Sequence, residues 1–217
     1  SHFRKTIDNR FVGKVKPRNL QQEFYMDMLQ SKDIPLLLGF GDYGTGKDYC
    51  ALSTFLDMVD KGKYKRIVWI RNNVECANTA PVGFIPGSLN EKLSVYADIL
   101  TDFVGDRIGF ESLLRDGSLE LVHTGFLRGR SFTDSIIYCT EAQNMTKELV
   151  QLIISRAGEG SIVFFNGDVK QTDKGLFKLN NGLQKIIDTY KGHKNFACVY
   201  LSKCERSELA DMASLLE

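Results

Sequence analysis

The octet Gly41-Asp42-Tyr43-Gly44-Thr45-Gly46-Lys47-Asp48 meets the phosphate-binding pattern G-x-x-x-x-G-K-[ST] everywhere except its last position, where Asp48 replaces a hydroxyl residue. Such a loop works because glycines let successive backbone N–H groups turn inward around a β-phosphate, while the lysine adds a point charge. Gly41, Gly44, Thr45, Gly46, Lys47 and Asp48 are therefore the candidate phosphate-binding residues. The final hydroxyl of the pattern normally ligates Mg²⁺, so Asp48 changes the metal chemistry of the loop. A second cluster follows the apolar run Ser135-Ile136-Ile137-Tyr138-Cys139, where Thr140 and Glu141 precede Ala142-Gln143-Asn144. Two acids in that place would put one carboxylate near the metal and the next against an attacking water. Here Thr140 stands for the first and Glu141 remains. A third polar end, Gly167-Asp168-Val169-Lys170-Gln171-Thr172-Asp173, follows Ile162-Val163-Phe164-Phe165-Asn166 and is placed to sense a γ-phosphate, although Gly-Asp is also a strand-to-turn signal.

These residues need a strand before the loop and a helix after it. Ile34 to Phe40 is a short continuous apolar run, as in a buried parallel strand. Beyond Lys47, the residues Tyr49, Leu52, Phe55, Leu56 and Val59 recur at helical spacing, and Lys61-Gly62 provides a stop. Further strands are expected at Arg66 to Ile70, Leu119 to His123, Ser135 to Cys139, Ile162 to Asn166 and Ala197 to Leu201. Helices are expected at Leu20 to Gln30, Leu89 to Phe103, Lys147 to Ser155, Leu183 to Tyr190 and Glu205 to Leu216. The alternation predicts an α/β fold, a mostly parallel sheet covered on both faces. Ligands of such sheets sit at the carboxyl ends of the strands, where all three polar clusters lie.

The 217 residues suffice for one sizeable core, and 43% hydrophobic with 25% charged residues is ordinary for a globular chain. No apolar run approaches the ~18 residues of a membrane span, and no signal-peptide pattern opens the sequence, so a cytosolic location is expected. The five cysteines include no C-x-x-C pair, which argues against a zinc site or disulfide framework and for reduced, mostly buried thiols. A net charge of +1 restricts any nucleic-acid contact to local patches. Among the basic clusters, Arg128-Gly129-Arg130 stands out, because paired arginines around a glycine can approach a phosphate closely. Phe126 and Phe132 beside it can stack on bases or belong to the core.

Taken together, Gln22 with Tyr25, Gly41 to Lys47, Arg71 with Val74 and Glu75, Gly83-Phe84-Ile85-Pro86-Gly87, Arg128-Gly129-Arg130, Glu141-Ala142-Gln143-Asn144, Gly167-Asp168 with Gln171, and Arg206 resemble the PhoH-like ATPases. That family is similar to the first motor domain of superfamily-one helicases, and the resemblance runs from about Lys16 through Ser207. It implies a three-layer RecA-like P-loop fold over residues 16–217, with 1–15 as an N-terminal extension. It also implies roles: Gln22 at the adenine edge, Lys47 on the β- and γ-phosphates, Glu141 on the attacking water, Gln171 as γ-phosphate sensor and Arg206 as a stabiliser of transition-state charge. Arg71, Arg128 and Arg130 would contact nucleic acid. Gln22, Arg71 and Arg206 also have plainer readings as a surface helix residue, a strand end and a helix-terminal charge.

The family pattern has Thr in the loop and Asp at the strand end, and this chain has the reverse. A compensated exchange follows as an expectation, with Asp48 and Thr140 as the metal-binding pair for Mg²⁺. The favoured function is ATP hydrolysis coupled to single-stranded RNA or DNA, RNA before DNA, in a helicase-like motor. One lobe fits within 217 residues, so coupling calls for a homo-oligomer such as a hexameric ring. The alternative is a nucleotide-binding regulatory or scaffold protein deficient in hydrolysis; the retained Glu141 argues against it and the exchange for it.

Overall fold

A computed structural model of the chain describes residues 6–42, 44–71, 107–168, 181–203, 205 and 212. Its centre is a six-stranded sheet made from the continuous apolar runs of the sequence: β3 (Leu36–Gly41), β4 (Arg66–Arg71), β5 (Leu119–Val122), β6 (Ser135–Thr140), β7 (Ile162–Asp168) and β8 (Phe196–Leu201). The order is β5-β4-β6-β7-β3-β8, and every pairing is parallel. A parallel sheet needs cover on both faces, which is why its inner strands carry no polar alternation.

Side chains alternate across each strand. Leu37, Trp69, Ile136, Tyr138 and Phe164 pack on one face with α1 (Leu20–Leu29), α2 (Lys47–Asp60) and α3 (Arg107–Asp116). Leu38, Ile70, Ile137, Val163 and Phe165 pack on the other face against α4 (Lys147–Ser155) and α5 (Gly182–Tyr190). The result is the three-layer α/β arrangement of a RecA-like P-loop domain. Local signals set the helix starts: Asn19 accepts from Gln22 N, Thr146 from Leu149 N, and Asn181 from Leu183 N and Gln184 N.

Two described features are absent from the sequence-based expectation. Residues 7–15, expected only as an extension, form a hairpin of β1 (Ile7–Asn9) and β2 (Gly13–Val15), whose Ile7 and Val15 enter the same core as α2. Asn9 Oδ1 closes its turn by accepting from Phe11 N and Val12 N. Strands of three residues leave too short a pattern to read. The helix α3 carries Gly109, a poor helix former, inside a short stretch of low hydrophobicity, which hides it. The expected helices Leu89 to Phe103 and Glu205 to Leu216 lie outside the described residues, apart from Glu205 and Met212.

Candidate nucleotide site

The phosphate loop joins β3 to α2 at the carboxyl edge of the sheet. Two of its glycines are dictated by geometry. A Cβ on Gly41 would stand 2.0 Å from the Leu201 carbonyl oxygen of β8, so a side chain cannot fit there. Gly46, the residue before α2, has φ of 77° and would push a Cβ to 2.9 Å from Gln22 Nε2. Gln22 is buried and braces the loop: its Nε2 donates to the Thr45 carbonyl at 2.9 Å, while its Oε1 accepts from Arg18 N at 2.7 Å. Its amide thus reaches the loop rather than the surface, with one N–H and one lone pair left for a ligand.

Thr45 Oγ1 donates to the Asp42 carbonyl at 3.0 Å, and Lys47 Nζ donates to the same oxygen at 3.4 Å. Lys47 is 8% exposed, so its charge is already held inside the loop. From α1, Tyr25 O–H donates to the Lys47 carbonyl at 3.0 Å. The loop is also tied to the chain beyond β8, since Glu205 N donates to the Gly44 carbonyl at 3.0 Å and Asn19 Nδ2 donates to Glu205 Oε1 at 2.9 Å.

Asp48, in the first turn of α2, is held by two strands. Tyr138 O–H donates to Asp48 Oδ1 at 3.1 Å from β6, and Asn166 Nδ2 donates to the same oxygen from β7. Tyr138 is 1% exposed, with its ring stacked on Phe164 at 5.8 Å and edge-on to Phe55 at 5.5 Å. Burial, and then the Asp48 charge, push its phenol well above the ordinary tyrosine range, so it stays a donor. Thr140 lies two residues along β6 on the same face and is buried, with Oγ1 accepting from Trp69 Nε1 at 3.2 Å.

These residues suit a hard cation. A carboxylate and a hydroxyl are oxygen ligands, and Asn166 Oδ1 is a buried acceptor without a hydrogen-bond partner beside Asp48. No group of three or more His, Cys, Asp or Glu occurs among the described residues. Mg²⁺ takes few protein ligands and completes its shell with phosphate oxygens and water, so one carboxylate and one hydroxyl can serve it.

Glu141 follows β6 with φ of 59°, a left-handed conformation that costs a non-glycine residue on the order of 1–3 kcal/mol. The turn delivers its carboxylate to Gln143, whose Nε2 donates to Glu141 Oε2 at 2.7 Å. The other end of that amide, Gln143 Oε1, accepts from Asp168 N at 3.0 Å. A single buried amide therefore joins the Glu141 carboxylate to Asp168 at the end of β7. Gln143 belongs to the Glu-Ala-Gln-Asn cluster, yet its two-ended use depends on β6 and β7 being neighbours.

The remaining expected site residues separate. Arg130 is engaged, with Nη1 2.7 Å from Glu120 Oε1 and its guanidinium 4.6 Å over the Phe132 ring. Phe132 is core, whereas Phe126 is 43% exposed. Arg128 is exposed and makes no ion pair or hydrogen bond among the described residues. Arg71 ends β4 in register with Thr140. Gln171 and Arg206 lie outside the described residues, as do Tyr43, Val74, Glu75 and the Gly83 to Gly87 segment. Of the cysteines, Cys50 and Cys139 are buried thiols and Cys198 is exposed. No helix among the described residues is long and apolar enough to cross a membrane.

The model of the PhoH-like protein family matches residues 14–214. This chain belongs to the PhoH-like family. Among its relatives, protein PhoH2 of Bacillus subtilis (strain 168) is 34% identical over 220 residues, covering 97% of this chain and 49% of that protein. Protein PhoH2 of Mycolicibacterium smegmatis is 29% identical over 209 residues, covering 95% of this chain and 48% of that protein. A second Bacillus subtilis relative, described as a PhoH-like protein, is 29% identical over 223 residues and covers all of this chain and 68% of its own length. The chain thus spans about half the length of the PhoH2 relatives. Membership supports the P-loop, ATP-binding character of the chain, and the loop that would carry it is the one from Gly41 to Asp48.

Proposed function

We propose that this PhoH-like chain binds ATP on the Gly41 to Asp48 loop and hydrolyses it with Mg²⁺, turnover being coupled to single-stranded nucleic acid, RNA in preference to DNA. The observation that carries the reading is the Gln143 amide between Glu141 Oε2 and Asp168 N. A pure binding module has no use for a carboxylate held in a strained turn at a strand end, whereas hydrolysis needs one that accepts a proton from water.

In this reading Lys47 leaves the Asp42 carbonyl for the β- and γ-phosphates, and the backbone N–H groups around Gly44, Thr45 and Gly46 line the phosphate chain. Asp48 and Thr140 would hold Mg²⁺, which would neutralise charge developing on the phosphates. Glu141 orients and deprotonates the water. Gln143 keeps that carboxylate turned toward the site and makes its position depend on the end of β7, where Gln171 reads the γ-phosphate. Gln22 contacts the adenine with the hydrogen-bonding capacity its loop brace leaves over. Arg206, of the same or of a neighbouring subunit in a ring-shaped homo-oligomer, stabilises transition-state charge. The exposed Arg128 and Phe126, with Arg71, form the nucleic-acid contact, and a cytoplasmic location accords with such a substrate.

The test is ATP hydrolysis with Mg²⁺, with and without single-stranded RNA, using Glu141→Gln and Lys47→Ala as controls. Turnover lost in both controls and stimulated by RNA supports the full reading. Tight ATP binding without turnover favours the second reading, a nucleotide-binding scaffold, which the replacement of the loop hydroxyl by Asp48 supports.

A further inference from the structure

We propose that Asp48 makes nucleotide binding by this chain obligately dependent on a divalent cation: a carboxylate fixed in the first turn of α2 repels a bare triphosphate and becomes a ligand only when the cation accompanies it. This rests on the reading that ATP occupies the phosphate loop.

The carboxylate has no easy way to turn aside. Its Oδ1 is held by Tyr138 O–H at 3.1 Å and by Asn166 Nδ2, donors on two different strands of the sheet. The Tyr138 ring is locked between Phe55, Phe164 and Trp69, and Asn166 is 1% exposed. Fixing Oδ1 in this way leaves Oδ2 with no hydrogen-bond partner among the described residues. The same Asn166 amide carries a second acceptor in want of a donor, since its Oδ1 is buried and unpaired. Reversing the amide would set oxygen against the Asp48 carboxylate, so the orientation is fixed by its neighbour. The buried Asn166 oxygen and the open Oδ2 of Asp48 together present two oxygen acceptors, one of them charged, to a cation.

A hydroxyl in this position, as the loop pattern has it, is neutral and tolerates phosphates with or without metal. A carboxylate does not. Like charges at close range repel, and a triphosphate brings several to the carboxylate. A bound divalent ion reverses the sign of that interaction, because it becomes the largest local charge.

The diagnostic is a crossover. Binding of a fluorescent ATP analogue to the whole chain is measured in Mg²⁺ and in EDTA, for the wild type, Asp48→Asn and Asp48→Thr. In EDTA the substitutions, which remove the charge, tighten binding by about tenfold or more, and in Mg²⁺ Asp48→Asn, which removes the ligand charge, weakens it. Wild-type binding that is equally tight in Mg²⁺ and EDTA overturns the proposal without recourse to any variant. Weaker or unchanged binding of Asp48→Asn in EDTA overturns it too. Lys47→Ala separates the two levels of the argument: if it binds the nucleotide in Mg²⁺ as well as the wild type does, ATP is not on this loop and the proposed function falls with the inference.

Discussion

Tyr138 donates its phenol proton to Asp48 Oδ1 at 3.1 Å, joining the middle of β6 to the first turn of α2 across 90 residues of sequence. An uncharged donor inside an apolar sheet is an efficient way to fix a carboxylate, because the ring is held by packing and the hydroxyl cannot seek water instead. Tyr138→Phe keeps that packing and removes the donor. It should lower the unfolding free energy by about 1–2 kcal/mol, read from urea denaturation, and weaken Mg²⁺ binding in the presence of ATP. Unchanged stability and metal affinity would mean that Asn166 alone positions Asp48.

The exchange of Asp48 and Thr140 predicts a double-mutant pattern. Asp48→Thr and Thr140→Asp should each reduce Mg²⁺-dependent ATP turnover by about tenfold or more, and the double variant should recover most of it, because ligand types and charge are then restored. Thr140→Asp alone sets a second carboxylate on the face where Asp48 already stands, and it also loses the hydroxyl that accepts from Trp69 Nε1. Equal turnover in all four proteins would end the compensation argument.

In the proposed reaction Gln143 acts as a positioning residue, an effect that must be separated from plain stability. Gln143→Ala leaves Glu141 Oε2 and Asp168 N without this partner, so kcat should fall by roughly 10- to 100-fold while the KM for ATP changes little. Gln143→Glu would set like charges together and should be worse than alanine, more so above the glutamate pKa. A fall in kcat/KM caused entirely by KM would place Gln143 in nucleotide binding instead.

The sheet and the loop are legible in the sequence because both rest on short-range patterns. Continuous apolar runs such as Ile162 to Phe165 must be buried on both faces, and the glycines of the loop obey local geometry, as at Gly41 beside Leu201 O. The α4 helix is equally local, with Thr146 capping the start of Lys147–Ser155. The surroundings of Asp48 are different in kind. Tyr138 reads as one more core residue of an apolar strand, and Asn166 reads as its polar end; only the strand order places both on the α2 face beside Asp48. The two arginines of Arg128-Gly129-Arg130 likewise look equivalent until the register of β5 sets Glu120 against Arg130.

That difference between the arginines is testable. Arg128→Ala should weaken binding to single-stranded RNA and reduce the dependence of log affinity on log salt by about 0.7, the value for one phosphate contact on a single strand. Arg130→Ala should change the salt slope less and cost stability instead, since it removes an ion pair at 2.7 Å and a cation–π contact over Phe132. Identical salt slopes for the wild type and Arg128→Ala would show that Arg128 does not touch the nucleic acid backbone.

Alkaline pH offers a test of the core beneath the loop. Burial pushes the Cys50 thiol from its ordinary 9.0 up to about 12, and burial raises Cys139 well above that ordinary value too. Tyr25 and Tyr138 are raised in the same direction by burial and by the Asp48 charge. A neutral acid favoured by the fold contributes stability in full below its unfolded pKa and loses it as pH rises through its folded pKa. Between pH 9 and about 12 the unfolded chain therefore binds fewer protons than the folded one, and stability must fall with pH. Just above pH 9 the thiols dominate, because the tyrosines titrate from about 10 in the unfolded chain. Urea denaturation at pH 8, 9 and 10 should show the wild type losing stability more steeply than Cys50→Ala, by up to about 1.4 kcal/mol per pH unit once the unfolded thiol is ionised. Parallel curves for the two proteins would mean that the Cys50 thiol titrates alike in both states and is not sealed beneath the phosphate loop.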